Sequence, residues 1–312
     1  MNERLFNVKC SVNMSHIPVL ASEVIDGLSL QPGQTIIDGT LGLGGHAALI
    51  LDRIAPNGIL IGIDRDNRNL ELAKLRLAKY GDRVRYVNSS FSAMNTLGVQ
   101  ADGVLLDLGF SSVHVDAAER GFSFQNEGPL DMRYDTSDDF QRRSPDSPEG
   151  SSGTSITAEG IVNGWSKDDL ATVLRRLGEE PAAHRIAKAI FDARREQRIT
   201  TTTQLADIIS AVVPRRGKTH PATKTFQALR LAVNDELGEV ERGLVAAQTA
   251  LKPGGILAVI TFHSLEDRLV KHWFKNTETF EALNKKPIGP GRPEILSNPR
   301  ARSAKLRIAK RN

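Results

Sequence analysis

Short apolar runs alternate with helical patterns over residues 16–112 and return after residue 219. The runs Thr35–Asp38 and Gly58–Asp64 each end in an acid, and Asn67–Tyr80 places apolar residues at helical spacing. The same patterns predict further strands at 83–87, 103–107, 256–260 and 303–309. They also predict helices at 21–28 and 223–236, and another helix that follows and ends at residue 250. Strands separated by helices predict a parallel α/β sheet with its ligand crevice at the carboxyl ends of the strands.

This alternation stops between residues 113 and 218. Residues 133–160 are rich in Ser, Asp, Pro and Gly, and helical patterns follow at Lys167–Leu177, Pro181–Arg195 and Thr203–Val213, the last with Thr202 or Thr203 as its cap. We predict a flexible N-terminal segment over 1–15 and a core whose first part covers 16–112. A mainly helical domain is then inserted over 113–218, and the second part of the core covers 219–312.

A glycine-dense turn connects the first predicted strand to a helix. Residues 38–46 read Asp-Gly-Thr-Leu-Gly-Leu-Gly-Gly-His, and Asp64 follows Gly44 by 20 residues, at a distance suited to ribose hydroxyls. Glycine lets the backbone turn tightly and approach a ligand closely. This pattern indicates a nucleotide site, although a tight strand-to-helix turn with a capping aspartate would give the same residues.

Two features favour S-adenosylmethionine over a dinucleotide as the ligand of this turn. Asp38 precedes the glycines, where a carboxylate can hold an ammonium group rather than a pyrophosphate. Leu251-Lys-Pro-Gly-Gly255 resembles the turn before the fifth strand of Rossmann-like methyltransferases. A Rossmann-like class I methyltransferase sheet is therefore predicted, with an NAD-dependent oxidoreductase as the alternative.

Composition places the chain among soluble globular proteins, with 40% hydrophobic and 25% charged residues. No apolar run approaches the roughly 20 residues of a membrane span. The first residues lack the apolar core of a signal peptide, and Met14 is an alternative start. Because Cys10 is the single cysteine, the sequence excludes an internal disulfide and a multi-cysteine zinc site, and it favours a reducing cytoplasmic location. No metal ligands are predicted.

Positive charge is concentrated near the C-terminus. Residues 285–312 contain nine Lys or Arg against one acid, Glu294, so this segment carries +8 and the rest of the chain −4, from a total of +4. Such a segment is either a solvated tail or a surface that binds RNA phosphates.

Four blocks of sequence indicate a particular family and not only a fold class. They are 38–46 given above; Glu119-Arg-Gly-Phe-Ser-Phe124 with Gly128-Pro-Leu-Asp-Met-Arg133; His220-Pro-Ala-Thr-Lys-Thr-Phe-Gln-Ala-Leu-Arg230 with Val233-Asn-Asp-Glu-Leu237; and Phe262-His-Ser-Leu-Glu-Asp-Arg268 with Asn298-Pro-Arg-Ala-Arg-Ser303. Together they closely resemble the bacterial 16S ribosomal RNA cytosine-N4 methyltransferase family, over nearly all of residues 16–307.

The resemblance implies an S-adenosylmethionine-dependent enzyme that methylates the exocyclic amine of a decoding-site cytidine in the 16S rRNA of the small ribosomal subunit. It also implies that the inserted domain recognises the substrate. The cofactor contacts carried over from the family fall on Gly44, Gly45, His46, Asp64, Phe91, Asp107 and His114. The family pattern has Gln where this chain has His114, and an imidazole does not place its donor and its acceptor side by side as an amide does.

Methylation of cytosine N4 needs an acceptor beside the amine that turns its lone pair towards the sulfonium methyl. Asp107-Leu-Gly-Phe110 follows the fourth strand, so Asp107 or the Leu108 carbonyl is the predicted acceptor, with Phe110 beneath the base and His263 as a further catalytic candidate. Methylation at C5 would instead need a thiolate, and Cys10 is far in sequence from Asp107.

A non-catalytic RNA-binding or ribosome-assembly module is the alternative from another class, and the intact glycine turn, Asp64 and Asp107 disfavour it. The sequence leaves open the exact nucleotide and whether the substrate is free RNA or the assembled subunit. It also leaves open the oligomeric state, for which a homodimer is one hypothesis.

Overall fold

The computed structural model describes residues 17–109, 118–134, 156–215, 217 and 219–312. Within them the chain forms two compact units. The first contains residues 17–109 and 240–312, and the second contains the described residues of 110–239. The sequence patterns predict the insertion at 113–218, whereas residues 219–239 lie in the second unit, because Phe226, Ala228 and Leu229 belong to its apolar core.

A seven-stranded sheet organises the first unit. Its strands are β1 Thr35–Asp38, β2 Ile59–Asp64, β3 Val84–Asn88, β4 Ala101–Asp107, β5 Leu251–Thr261, β6 Phe280–Ala282 and β7 Lys305–Arg311. The strand order is β3-β2-β1-β4-β5-β7-β6. The first five strands run parallel and β7 is antiparallel to both of its neighbours, so β1, β2 and β4 all end at one edge of the sheet.

Helices cover both faces of this sheet. Neighbouring strand residues point in opposite directions, so each strand contributes apolar side chains to both faces. On β1, Ile36 belongs to the core cluster formed with α1 Ala21–Gly27, α2 Gly45–Arg53 and α3 Asn67–Leu77. Ile37 belongs to the cluster on the other face. Both faces are therefore apolar, as parallel strands require.

The second unit is helical around one apolar core. Its helices are α4 Ala158–Gly164, α5 Lys167–Gly178, α6 Ala183–Glu196, α7 Thr202–Val212 and α8 Thr223–Val233. Three further helices follow in the chain, α9 Glu236–Ala250, α10 Ser264–Asn276 and α11 Arg292–Ser297. Among the described residues, no helix has the length and apolar character needed to cross a membrane.

Several predicted boundaries differ from the observed ones. The cap of α7 is Thr201, not Thr202 or Thr203, because Gln204 lies three residues later and completes a capping box with it. Helix α8 ends at Val233 rather than at residue 236, since Asp235 has a left-handed backbone with φ 45°. Strand β5 begins before Pro253, and its pairing with β4 shifts register between Ala101 and Gly103.

Candidate active site

The glycine turn between β1 and α2 is held by hydrogen bonds to the two strands beside β1. The Gly39 N–H donates to the Leu105 carbonyl on β4 at 2.9 Å, and the Leu41 N–H donates to the Ile63 carbonyl on β2 at 2.9 Å. Gly42 and Gly44 have φ values of 52° and 75°, which glycine adopts without strain. Among the described residues, a Cβ on Gly42 would meet only the Thr40 carbonyl, at 3.8 Å, so the turn leaves room for a ligand.

Asp64, the predicted ribose acceptor, also holds the glycine turn. Its Oδ2 accepts the Gly42 N–H at 2.9 Å, and its Oδ1 accepts the Asp66 N–H at 2.8 Å. The Asn69 amide on α3 lies 3.2 and 3.3 Å from the two oxygens. Burial raises the pKa of Asp64, and these N–H donors oppose the rise. Asp64 therefore connects the end of β2 to the turn that would contact the cofactor.

Asp107 ends β4 beside the same turn. Its backbone N–H donates to Thr40 Oγ1 at 2.6 Å, which fixes the strand end against the turn. Its side chain is 21% exposed, and the buried Oδ1 atom has no hydrogen-bond partner among the described residues. Burial raises the pKa of Asp107 well above its ordinary value, and the charges of Asp38 and Glu266 raise it further.

Asp38 adds a second buried carboxyl at the end of β1. Only 1% of its surface is exposed, and Oδ1 accepts the Thr40 N–H at 3.2 Å. Burial raises its pKa to about 7, with the Thr40 N–H opposing and Asp64 adding to the rise. A cationic ligand would stabilise the ionised forms of these two carboxyl groups, which burial disfavours.

His46 lies in the first turn of α2 and is 6% exposed. Its Nε2 is 2.8 Å from the Val19 carbonyl oxygen, and its Nδ1 is 3.5 Å from Asp107 Oδ2. The structure thus places both the helix N-terminus and the imidazole of this predicted cofactor residue beside Asp107. Gly44 is the N-cap of α2, and its own N–H donates to the Leu41 carbonyl at 2.8 Å. Gly45 is the first residue of the helix, at the N–H groups that suit a carboxylate.

Phe91 begins the short 3₁₀ helix Phe91–Leu97 after β3. Its ring packs against α9, where a Cβ on Gly243 would lie 2.3 Å from Phe91 Cε2. The ring also borders the apolar cluster that contains Ile63 and Met94. Packing on an adenine, as the family resemblance implies, remains a prediction for the part of the ring that is not buried.

His263, the further catalytic candidate, is the N-cap of α10. Its Nδ1 accepts the Glu266 N–H at 3.3 Å, while Glu266 Oε2 accepts the Phe262 N–H at 2.8 Å. Its Nε2 lies 3.1 Å from Glu266 Oε1. This capping box explains the Phe262–Arg268 block structurally, and a catalytic role of His263 stays a prediction. Phe110, His114 and Cys10 lie outside the described residues.

The second and third sequence blocks, at 119–133 and 220–237, build the second unit. Phe124 stacks on His220 with ring centroids 4.6 Å apart, and the Asn234 side chain joins the Met132 carbonyl to the Tyr134 N–H at 2.8 and 2.9 Å. The buried Arg120 donates to the Tyr134 carbonyl at 2.7 Å. These residues are explained by the architecture of that unit.

Arg307, one of the basic C-terminal residues, cannot serve as an exposed phosphate ligand. It is 6% exposed, and its Nε donates to Asp267 Oδ1 on α10 at 2.7 Å. Lys305 Nζ donates to Oδ2 of the same carboxylate at 3.0 Å. Burial alone would raise the pKa of Asp267, yet these two cations hold it below its ordinary value. Arg300, Arg302 and Lys310 are exposed.

The residues at the strand ends fit S-adenosylmethionine. The carboxyls of Asp38 and Asp107 suit its cationic groups, the N-terminus of α2 suits its carboxylate, and Asp64 suits hydroxyls. Oδ1 of Asp107, buried without a partner in the described residues, is a polar atom that a ligand would satisfy.

Sequence reasoning missed two residues that hold this site together. Thr40 ties the turn to β4 through its hydroxyl, and Asn69 ties α3 to Asp64. Thr40 was visible inside the glycine turn, but its partner depends on the pairing of β1 with β4. Asn69 carries no local signal, because its role follows from how α3 packs.

The chain is similar to curated methyltransferases over nearly its whole length. A ribosomal RNA small subunit methyltransferase H from Nostoc sp. is 46% identical over 300 residues, covering 95% of this chain and 93% of that protein. Its counterpart from Symbiobacterium thermophilum is 46% identical over 318 residues, covering 94% and 95%. That from Geobacter sulfurreducens is 44% identical over 326 residues, covering 96% and 100%.

Solved structures resemble the chain more distantly. An rRNA methylase from Streptococcus thermophilus is 9% identical, with a TM-score of 0.44 over 95% of this chain and 99% of that one. The predictions of a Rossmann-like methyltransferase core, of S-adenosylmethionine as cofactor and of an enzyme are confirmed. The MraW methylase family model matches residues 13–312, and the chain therefore belongs to that family.

Proposed function

We propose that the protein transfers a methyl group from S-adenosylmethionine to N4 of a cytidine in the decoding region of 16S rRNA. The observation that carries the proposal is Oδ1 of Asp107 at the end of β4, beside the glycine turn, which has no hydrogen-bond partner within the described part of the chain. The names of the relatives support an rRNA substrate. Such a substrate would place the enzyme in the cytoplasm.

When bound, the cofactor supplies an electrophilic methyl group on a positively charged sulfur. Asp64 and the N–H groups at the start of α2 would hold it, through the contacts that a ribose and a carboxylate require. Asp107 Oδ1 would accept an N–H of the cytosine amine and orient the nitrogen lone pair. Alignment and a buried electrostatic environment would provide most of the rate enhancement.

This chemistry explains why the site needs no covalent nucleophile. An exocyclic amine attacks through its own lone pair, whereas C5 of cytosine becomes nucleophilic only after a thiolate adds to C6. The acids at the ends of β1 and β4 supply acceptors and no thiol. We therefore expect a Cys10→Ser enzyme to keep near-normal activity.

RNA binding is proposed for the inserted helical domain, as the resemblance implies, and for the exposed basic residues near the C-terminus, because of their charge. Whether the substrate is free RNA or the small subunit, and whether the enzyme acts as a homodimer, are hypotheses. Parallel assays on naked 16S rRNA and on small subunits would decide the first, and light scattering would decide the second.

The test is methyl transfer from tritiated S-adenosylmethionine to 16S rRNA at saturating cofactor. The wild-type enzyme should label the RNA, and Asp107→Ala should lose most of kcat even when its cofactor site is full. Calorimetry should show binding of S-adenosylmethionine and none of NADH. No labelling of either naked RNA or small subunits, or full activity of Asp107→Ala, would contradict the proposal.

A further inference from the structure

The side chain of Thr40 lies just after β1 and is anchored at the end of β4. Its Oγ1 accepts the Asp107 backbone N–H at 2.6 Å, and the Thr40 backbone N–H donates to Asp38 Oδ1 at 3.2 Å. The two strands are paired in parallel, with Asp38 opposite Leu105. The position of the hydroxyl is therefore set by the sheet and not by the glycine turn alone.

The proton of this hydroxyl is not used within the fold. A threonine hydroxyl offers one proton and two lone pairs, and the Asp107 N–H occupies one of the lone pairs. No atom of the described chain accepts the Thr40 proton, and the side chain is partly exposed. Thr40 can therefore donate a hydrogen bond to a ligand and keep its bond to β4.

Asp107 offers the complementary group at the same strand end. Its Oδ1 is buried and has no hydrogen-bond partner in the described residues. A carboxyl oxygen accepts a hydrogen bond when the group is ionised, and also when the proton is on the other oxygen. Because Thr40 Oγ1 is one hydrogen bond from the Asp107 main chain, the unused donor and the unused acceptor lie next to each other.

A donor next to an acceptor matches one edge of cytosine. The N4 amine of cytosine donates, and the neighbouring ring nitrogen N3 accepts. Uracil has the reverse arrangement, with O4 as acceptor and N3–H as donor, and guanine likewise places O6 beside N1–H. Adenine shares the cytosine pattern through its N6 amine and N1, so this pair of groups selects bases that carry an amine beside a ring acceptor.

We propose that Thr40 is a specificity-determining residue that donates its hydroxyl proton to cytosine N3 while Asp107 Oδ1 accepts a proton of the N4 amine. The inference rests on the proposed function and adds a second contact to the base. One hydrogen bond leaves the ring free to turn about it, whereas two fix its orientation and align the amine with the methyl donor. Uracil would bring O4 against the Asp107 carboxyl, acceptor against acceptor, and would be rejected.

A double-mutant cycle between enzyme and RNA tests this contact. Thr40→Val removes the hydroxyl and keeps the branched shape. In the RNA, 3-deazacytidine at the methylated position replaces N3 by C–H and keeps the amine; 16S rRNA ligated from segments can carry it. The measurement is kcat/KM for methyl transfer at saturating S-adenosylmethionine, for each enzyme on both RNAs.

Two further variants serve as controls for the cycle. Thr40→Ser keeps the hydroxyl and should retain the wild-type response to the loss of N3. Thr249→Val makes the same substitution at an exposed position near the end of α9 and should behave as wild type. Any change in the intrinsic reactivity of the amine affects all of these enzymes equally and cancels in the comparison.

The loss of N3 should lower kcat/KM roughly tenfold more in the wild-type enzyme than in Thr40→Val. If Thr40 serves only as the acceptor for the Asp107 N–H, Thr40→Val lowers activity on both RNAs by the same factor, and that result would overturn the proposal. Weaker S-adenosylmethionine binding by Thr40→Val in calorimetry, together with equal factors, would assign the hydroxyl to the cofactor and would also overturn it.

A binding measurement on the wild-type enzyme decides the question if Thr40→Val does not fold or is inactive. With S-adenosylhomocysteine present, a decoding-region RNA fragment that carries 3-deazacytidine should bind roughly tenfold more weakly than the unmodified fragment. Equal affinities would overturn the contact to N3. If the wild-type enzyme labels unmodified RNA but the cycle shows no coupling, the proposed function stands and the role of Thr40 fails; no labelling at all would overturn both.

Discussion

At the scale of single residues, the acids at the strand ends have two tasks. Asp64 was predicted from its spacing after the glycines, and the structure shows that it also accepts N–H groups from Gly42 and Asp66. Spacing could identify the acid, because the parallel strands of this sheet end at the same edge. It could not reveal the bonds to the turn, which depend on the conformation of Gly42.

Replacement of Asp64 by Ala should weaken S-adenosylmethionine binding. Loss of hydrogen bonds to a charged group costs on the order of 1.5–3 kcal/mol, which corresponds to roughly ten- to a hundredfold in the dissociation constant. Titration calorimetry measures it, with exposed Asp82→Ala as the control. An unchanged dissociation constant with a normal melting curve would remove Asp64 from the site.

Asp38 should make the ligand-free protein less stable as pH rises. Its pKa is raised from 3.8 to about 7, so between these values the folded protein keeps a proton that the unfolded chain releases. The free energy of unfolding therefore falls through this window, by at most about 4 kcal/mol. Asp38→Asn keeps an acceptor for the Thr40 N–H and removes the charge.

Melting curves from pH 5 to 8 test this sign. The wild-type melting temperature should fall with pH, and Asp38→Asn should reduce that fall and be the more stable protein at pH 8. Some dependence should remain, because the pKa of Asp107 is raised as well. A variant that is less stable than wild type at pH 8 would contradict the raised pKa of Asp38.

At the scale of elements, sequence patterns predicted the parallel strands well and the helix ends less well. The nearly continuous apolar runs at β1, β2 and β4 are typical of parallel strands, because both faces of such a sheet must be apolar. The end of α8 depends on the conformation of Asp235, and the start of α7 depends on the capping bond of Thr201. The spacing of apolar residues gives no information on either.

Close packing between Phe91 and α9 gives an element-scale prediction. A Cβ at position 243 would lie 2.3 Å from the Phe91 ring, so Gly243→Ala must displace the ring. We expect a loss of about 1–3 kcal/mol in the free energy of unfolding and weaker cofactor binding if the ring packs on the adenine. Chemical denaturation and calorimetry measure the two effects.

The control for this variant is Gly164→Ala, at the last residue of α4, where a Cβ would meet no atom of the described chain within 4 Å. It should leave cofactor binding unchanged. Full stability of Gly243→Ala would show that the ring moves at no cost. Lower stability with unchanged affinity would show that Phe91 supports the core and does not contact the cofactor.

At the scale of the whole molecule, the distribution of charge could be predicted only in part. The sequence located the basic excess at the C-terminus, but Arg307 is buried against Asp267 and Lys305 pairs with the same acid. Exposed arginines on α5 and α6 make no ion pair within the described residues; they are Arg175, Arg176, Arg185 and Arg195. There are therefore two candidate RNA-binding surfaces, the exposed basic residues near the C-terminus and the four arginines of α5 and α6.

Salt dependence distinguishes these two surfaces. Replacing Arg300, Arg302 and Lys310 with Gln should flatten the slope of log affinity for 16S rRNA against log salt by about 0.7–0.9 for each phosphate that the variant no longer binds. The same substitution of the four arginines on α5 and α6 is the parallel variant. An unchanged slope in the first variant and a reduced slope in the second would move the RNA-binding face to the second unit.

The most direct test of the account is the identity of the methylated nucleoside. Wild-type enzyme, 16S rRNA or small subunits, and S-adenosylmethionine with a labelled methyl group should give RNA whose digest contains labelled N4-methylcytidine by mass spectrometry. Cys10→Ser should give the same product, and Asp107→Ala at saturating cofactor should give almost none. Labelled 5-methylcytidine, or a Cys10→Ser enzyme without activity, would contradict amine methylation at the Asp107 carboxylate.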